Sequence, residues 1–121
     1  MLEKDHTVNY ISVVVPVYNE EGCLQELIDR TLKVLDSMNK KFEFILIDDG
    51  SRDSSREIIT RASEARPNEV IGCILNRNYG QHSAIMAGFS MVRGDLVITL
   101  GCGDVYKCAR MMIAKRKELA K

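Results

Sequence analysis

Residues 10–20 read Tyr-Ile-Ser-Val-Val-Val-Pro-Val-Tyr-Asn-Glu, and the first eight of them decide the fold. Tyr10 to Val17 is nearly continuous in β-branched side chains and lacks polar–apolar alternation, the pattern of a strand covered on both faces in a parallel sheet. A loop follows at Asn19-Glu20-Glu21-Gly22. Leu24, Leu27, Ile28, Leu32 and Leu35 then recur at near-helical spacing, opposite a charged face holding Glu26, Asp29 and Lys33.

The same alternation continues outward. A second strand is predicted from Phe42 to Ile47, and a helix begins where Ser54 stands three residues before Glu57, a capping-box pattern with Ile58, Ile59 and Ala62 on its inner face. A third strand is predicted over Val70 to Leu75, a short helix over Gln81 to Phe89, and a fourth strand over Leu96 to Leu100 after the Arg93-Gly94-Asp95 turn. An amphipathic segment, Arg110 to Leu119, completes a β-α-β-α-β-α-β-α order. The fold class is α/β, with a mostly parallel sheet and helices on both faces, because strands joined by helical crossovers must pair in parallel. Right-handed crossovers bring every strand's C-terminal end to one edge, where such sheets bind ligands. The residues to question are therefore Pro16 to Glu20, Asp48 to Ser51, Asn76 to Gln81, and Gly101 onward.

Composition narrows the class. The 121 residues suit one domain, and 45% hydrophobic with 28% charged residues is a globular balance. Seventeen basic and seventeen acidic residues cancel, so no overall field draws the chain to nucleic acid, and any phosphate must be held by local geometry. Lys115-Arg116-Lys117 reads as a solvated helical end. Cys23, Cys73, Cys102 and Cys108 have no zinc spacing, which favours free thiols in a reducing cytosol. The polar start, Met1 to Asn9, lacks a signal peptide, and no run approaches the ~18 apolar residues of a membrane span.

Two edge segments carry chemistry. Pro16 fixes the backbone at a strand end, Tyr18 offers a stacking face and Glu20 a carboxylate, a turn able to receive a nucleobase and ribose; the same residues also read as a strand-ending turn with Asn19 as a helix cap. Ile45-Leu46-Ile47-Asp48-Asp49-Gly50-Ser51 ends a buried strand with two adjacent carboxylates, costly unless satisfied. A ligand imide N–H or ribose hydroxyl would satisfy them, and so would a turn that they cap.

Together, V-P-V-Y-N-E and, about thirty residues later, I-D-D-G-S resemble the signature of family 2 glycosyltransferases of the GT-A fold, a Rossmann-like nucleotide-binding architecture. Leu75 to Phe89, beginning L-N-R-N-Y-G-Q-H-S, narrows the likeness to the polyprenyl-phosphate transferases related to dolichyl-phosphate mannose synthase. The match runs from about Ile11 to Leu100. The resemblance implies an inverting transferase moving a sugar from a UDP-linked donor to polyprenyl (undecaprenyl) phosphate, at the cytoplasmic face of the inner membrane, in cell-envelope glycan or lipid A modification. It implies a nucleotide pocket lined by Pro16, Tyr18 and Glu20, with Ile47 and Asp49 against base and ribose and Asp48 in support. Arg77 and the Gly80-Gln81-His82 turn would face the diphosphate or sugar, where a guanidinium and helix N-terminal N–H groups suit anionic oxygens. His82 reads as structural rather than as a base.

The sequence departs from that family after Leu100. An Asp-x-Asp motif there would hold Mg²⁺ or Mn²⁺; the matching positions are Gly101, Cys102 and Gly103, which supply no oxygen side chain, and Asp104 stands one place out of register. Such an ion supplies several kcal/mol of transition-state stabilisation, so little turnover is expected without it. The family's acceptor region, general base and membrane helices have no counterpart before Lys121, and no residue is offered as catalytic base. A gene fragment is expected ahead of a nucleotide-binding remnant with another role. An open sheet edge would also favour self-association. Other classes fit worse: G-x-G-x-x-G is absent after the first strand, no P-loop motif occurs, and a phospho-receiver's further aspartate is replaced by Asn76.

Overall fold

The computed structural model describes residues 8–101, so the segment Arg110 to Leu119 and positions 102–104 and 108 lie outside the described residues. Four strands, β1 (Tyr10–Val17), β2 (Lys41–Asp48), β3 (Val70–Ile74) and β4 (Leu96–Thr99), alternate with α1 (Leu24–Ser37), α2 (Ser55–Ala65) and α3 (Gln81–Phe89). All strand pairs are parallel, in the order β3-β2-β1-β4. The chain thus moves outward from β1 to β3, then returns to β1's other side. Its strand order reverses between β1 and β4, the position at which open α/β sheets bind ligands.

β1 and β2 are central, which is why their sequences are apolar on both faces. Val13, Val15, Val17, Phe44 and Leu46 pack with Leu24, Leu27, Ile28 and Leu35 of α1 and with Ile58 and Ile59 of α2. Val14, Ile45 and Ile47 face the other way, against Ala84 of α3. Right-handed crossovers require this change of face when the direction of travel along the sheet reverses. α3 sits very close to the sheet: a Cβ at Gly88 would fall 2.4 Å from Val14 Cγ1 and 2.6 Å from Ile47 Cδ1. Only a glycine admits that approach.

At the sheet edge away from the strand C-termini, a buried glutamate pins the α3–β4 turn. Glu43 Oε2 accepts from the Ser12 hydroxyl at 2.6 Å and from the Arg93 N–H at 2.7 Å, while Ser12 Oγ accepts from the Gly94 N–H at 2.8 Å. At the surface, Arg66 bridges Asp36 at 2.7 Å and Glu69 at 2.8 Å and lies over the Phe42 ring. The hydrogen bond from Arg66 holds the Asp36 carboxyl below its ordinary range.

Two local readings change. β2 extends one residue further at each end, and β3 and β4 each stop one residue short of Leu75 and Leu100, although Leu75 N–H still reaches Asp48 O and Leu100 N–H reaches Val14 O. Ser54 occupies the N-cap of α2, but its side chain makes no capping bond. Asp53 does that work instead, its Oδ1 accepting from the Ser55 N–H at 2.9 Å.

Candidate functional site

The loops after β1, β2 and β3 meet at the C-terminal edge, and the middle one joins the other two. Toward the first loop, the Asn19 N–H donates to Ser51 Oγ at 2.9 Å, the Arg52 N–H to Asn19 Oδ1 at 2.8 Å, and the Glu20 N–H to Ser55 Oγ at 2.9 Å. The Glu21 N–H reaches Asp53 Oδ2 at 3.1 Å, and Glu21 Oε1 accepts from the Ser54 N–H at 2.9 Å. This lacing holds Asn19 at a left-handed φ of 52°. It also settles Asp53: burial acts to raise its carboxyl, but hydrogen bonds from Ser55 and from the Glu21 N–H outweigh that and hold it below the usual range.

Toward the third loop, the Asp49 carboxylate accepts three bonds. Oδ1 takes the Tyr79 N–H at 2.8 Å; Oδ2 takes the Gly80 N–H at 2.9 Å and Asn78 Nδ2 at 3.1 Å. Asn78 Nδ2 also donates to the Asp49 carbonyl at 3.1 Å. Gly50, at φ 77°, lies flat against the Arg77–Asn78 peptide. Tyr79 in turn donates its hydroxyl to Asn76 Oδ1 at 2.8 Å, and the Arg77 guanidinium lies 4.9 Å from the Tyr79 ring centre.

The expected site residues divide into a floor and a rim. Ile47 and Asp48 are wholly buried and Asp49 nearly so. Ile47 faces α3, and Asp48 Oδ2 accepts from the Ser51 N–H at 3.0 Å. Asp48 Oδ1 is buried and finds no partner among the described residues. Pro16 and Glu20 are half-buried, whereas Tyr18, Arg77, Gln81 and His82 are exposed. Glu20 Oε1 accepts a long bond, 3.9 Å, from the Cys23 thiol. The first turn of α3, opened by Gly80 at φ 105°, presents the backbone N–H groups that no helix can satisfy internally. The ring, carboxylate and guanidinium of the rim are therefore carried by loops laced to one another. Ser51 and Asn78 lie in the edge segments that the sequence marks, without the lacing role seen here; Asp53 and Ser55 lie beyond them, and the run Asp48 to Ser55, dense in short oxygen-bearing side chains, is the signal that marks those two.

A metal site is another matter. Among the described residues, no group of three or more His, Cys, Asp or Glu side chains could hold an ion. Gly101 contributes no side chain, and a Cβ there would meet nothing within 4 Å. Among them, no helix is long and apolar enough to cross a membrane.

A parallel sheet whose order reverses between β1 and β4, with polar loops laced together at its C-terminal edge, defines a doubly wound α/β domain of the kind that binds ligands at that edge. The family is more specific. Residues 12–107 match the model of glycosyl transferase family 2, and the chain belongs to that family. It is 57% identical over 99 residues to an undecaprenyl-phosphate 4-deoxy-4-formamido-L-arabinose transferase of Shewanella sediminis (strain HAW-EB3), covering 82% of this chain and 30% of that protein. It is 55% identical over 94 residues to the protein of the same name from Edwardsiella ictaluri (strain 93-146), covering 78% and 29%. The chain thus spans under a third of the length of these curated relatives. Among solved structures it resembles the mannosyltransferase PcManGT from Pyrobaculum calidifontis, in complex with GDP-Man and Mn²⁺, with a TM-score of 0.61 at 22% identity over 76% of this chain and 27% of that one. The fold is that of the GT-A glycosyltransferases.

Proposed function

We propose that this chain is the nucleotide-binding part of an inverting glycosyltransferase that moves a sugar from a UDP-linked donor to undecaprenyl phosphate, at the cytoplasmic face of the inner membrane, in cell-envelope or lipid A modification. The observation that supports the reading is that the loop bearing Tyr18 and Glu20 and the loop bearing Arg77 are both hydrogen-bonded to the loop after β2, at the C-terminal edge of the sheet. Tyr18 stacks on the base, Glu20 accepts from ribose hydroxyls, and Pro16 directs the turn. Arg77, Gln81 and the α3 N-terminus take the diphosphate, because a guanidinium and unpaired amides match anionic oxygens. Ile47, Asp48 and Asp49 form the floor beneath. The names of the two relatives support the acceptor.

A second reading is favoured by Gly101: a module that binds nucleotide without metal and transfers nothing. Calorimetric titration with UDP, with and without Mn²⁺, separates the two when paired with an assay of transfer to undecaprenyl phosphate. The enzyme reading expects metal-enhanced binding and turnover; metal-indifferent binding without turnover supports the module. Tyr18→Ala should weaken UDP binding about tenfold in either case, by loss of stacking. Absence of UDP binding by the unaltered chain would defeat both.

A further inference from the structure

The loop after β2 and the first two turns of α2 border a groove of about 890 Å³. Seventeen basic and seventeen acidic residues cancel over the whole chain, yet Arg52, Arg56 and Arg61 all line this one groove. The three are exposed, and among the described residues none of them meets a carboxylate at ion-pairing distance, whereas Arg30 and Arg66 do. Glu57 and Arg61 stand at the i,i+4 spacing that commonly pairs, but the Arg61 Nε–H donates to the Glu57 carbonyl instead, at 3.4 Å. Asp53, the other carboxylate on the groove, is taken by the Ser55 and Glu21 N–H groups. The guanidinium groups thus keep their charge unanswered, and each presents a planar fork of donors that matches phosphate oxygens.

The groove flanks the rim. Ser51 lines it and also accepts from the Asn19 N–H, and the Arg52 N–H reaches Asn19 Oδ1, so its wall is tied to the loop that bears Tyr18 and Glu20. We infer that this groove is a docking surface for the phosphate headgroups of an anionic bilayer, which turns the rim toward the membrane that holds its lipid acceptor. The inference rests on the proposed function for that acceptor, but the cationic groove exists without it. With no overall field to draw polyanions from solution, the arginines act at short range, on phosphates presented side by side as at a bilayer surface. Three of them give reversible docking, which orients the chain without anchoring it.

Sedimentation of the full chain with lipid vesicles tests this. The unaltered chain should partition onto vesicles of phosphatidylglycerol and phosphatidylcholine but not onto phosphatidylcholine alone, and the partitioning should fall as salt is raised. Arg52→Gln, Arg56→Gln and Arg61→Gln should each weaken it about fivefold, and Arg56→Gln with Arg61→Gln together by about twentyfold or more. Lys115→Gln with Lys117→Gln removes the same charge from the basic segment near the C-terminus and should leave partitioning nearly unchanged. Equal losses from the two pairs, or no binding of anionic vesicles by the unaltered chain, would overturn the docking surface. So would retention of inorganic phosphate in calorimetry without partitioning onto vesicles, which would assign the groove to small anions. The chain carrying Arg56→Gln and Arg61→Gln should bind UDP as the unaltered chain does, because neither side chain belongs to the rim; a matching loss of UDP affinity would make the groove part of the nucleotide site and overturn its separate role. Absence of UDP binding by the unaltered chain, with arginine-dependent partitioning intact, would count against the proposed function and leave the docking surface standing.

Discussion

Gly50 carries two constraints at one position. Its φ of 77° disfavours any side chain, and its missing Cβ makes room for the Arg77–Asn78 peptide. Gly50→Ala should therefore destabilise the fold by about 1–3 kcal/mol, measured by urea unfolding. Gly22, whose added Cβ would meet nothing within 4 Å, provides the comparison: Gly22→Ala should change stability by less than about 0.5 kcal/mol. At this scale the sequence is only partly legible. Two adjacent aspartates at a strand end announce that something must satisfy them, but the donors to Asp49 come from residues about thirty positions away. Asp48 closes β2 and Asp49 opens the loop beyond it, and only the packed chain decides which is saturated. It saturates Asp49 and leaves Asp48 Oδ1 unpartnered among the described residues.

Among the elements, periodicity does most of the predictive work where burial is strongest. β1 and α3 have the bounds read from sequence, Tyr10–Val17 and Gln81–Phe89, because a continuous apolar run and a small-residue stretch bounded by Gly80 leave few alternatives. The α2 cap is different. Ser54 and Glu57 satisfy the local pattern, yet Asp53 wins because it can serve the Ser55 N–H and the distant Glu21 N–H together. Asp53→Ala should cost about 1 kcal/mol by urea unfolding, whereas Ser54→Ala should be nearly neutral. The pH dependence follows in sign. Asp53 and Asp36 both hold carboxyl pKa values lowered in the folded state. Their contribution is complete above the ordinary carboxylate range, about pH 4, and is lost as pH falls through the lowered folded values. Asp53→Asn should therefore flatten the acid limb of the stability profile, while stability near neutral pH falls.

Across the molecule, the sheet separates a structural end from a rim end. Glu43 pins the α3–β4 turn by accepting from Ser12 and Arg93, far along β2 from Asp48. Glu43→Leu leaves that hydroxyl and N–H without their acceptor and should cost about 2–4 kcal/mol by urea unfolding. Glu43→Gln retains an oxygen acceptor and should cost less. In both variants UDP affinity should match that of the unaltered chain wherever the protein remains folded, since no rim loop is touched. The parallel pairing of the strands, which brings the loops after β1, β2 and β3 to one edge, was legible from the strand–helix alternation alone. The lacing of the loops was not, because it consists of contacts between segments that have no periodic signature.

The placement of the aromatic rings has an optical consequence. The chain contains four tyrosines and no tryptophan, and two of those tyrosines, Tyr18 and Tyr79, stand exposed on the loops after β1 and β3. Intrinsic emission therefore arises from tyrosine alone, with half of its sources on the two loops of the proposed site. An occupant stacking there would quench the chain's own fluorescence, giving a label-free gauge of occupancy, and Tyr18→Phe against Tyr79→Phe would tell which wall it touches.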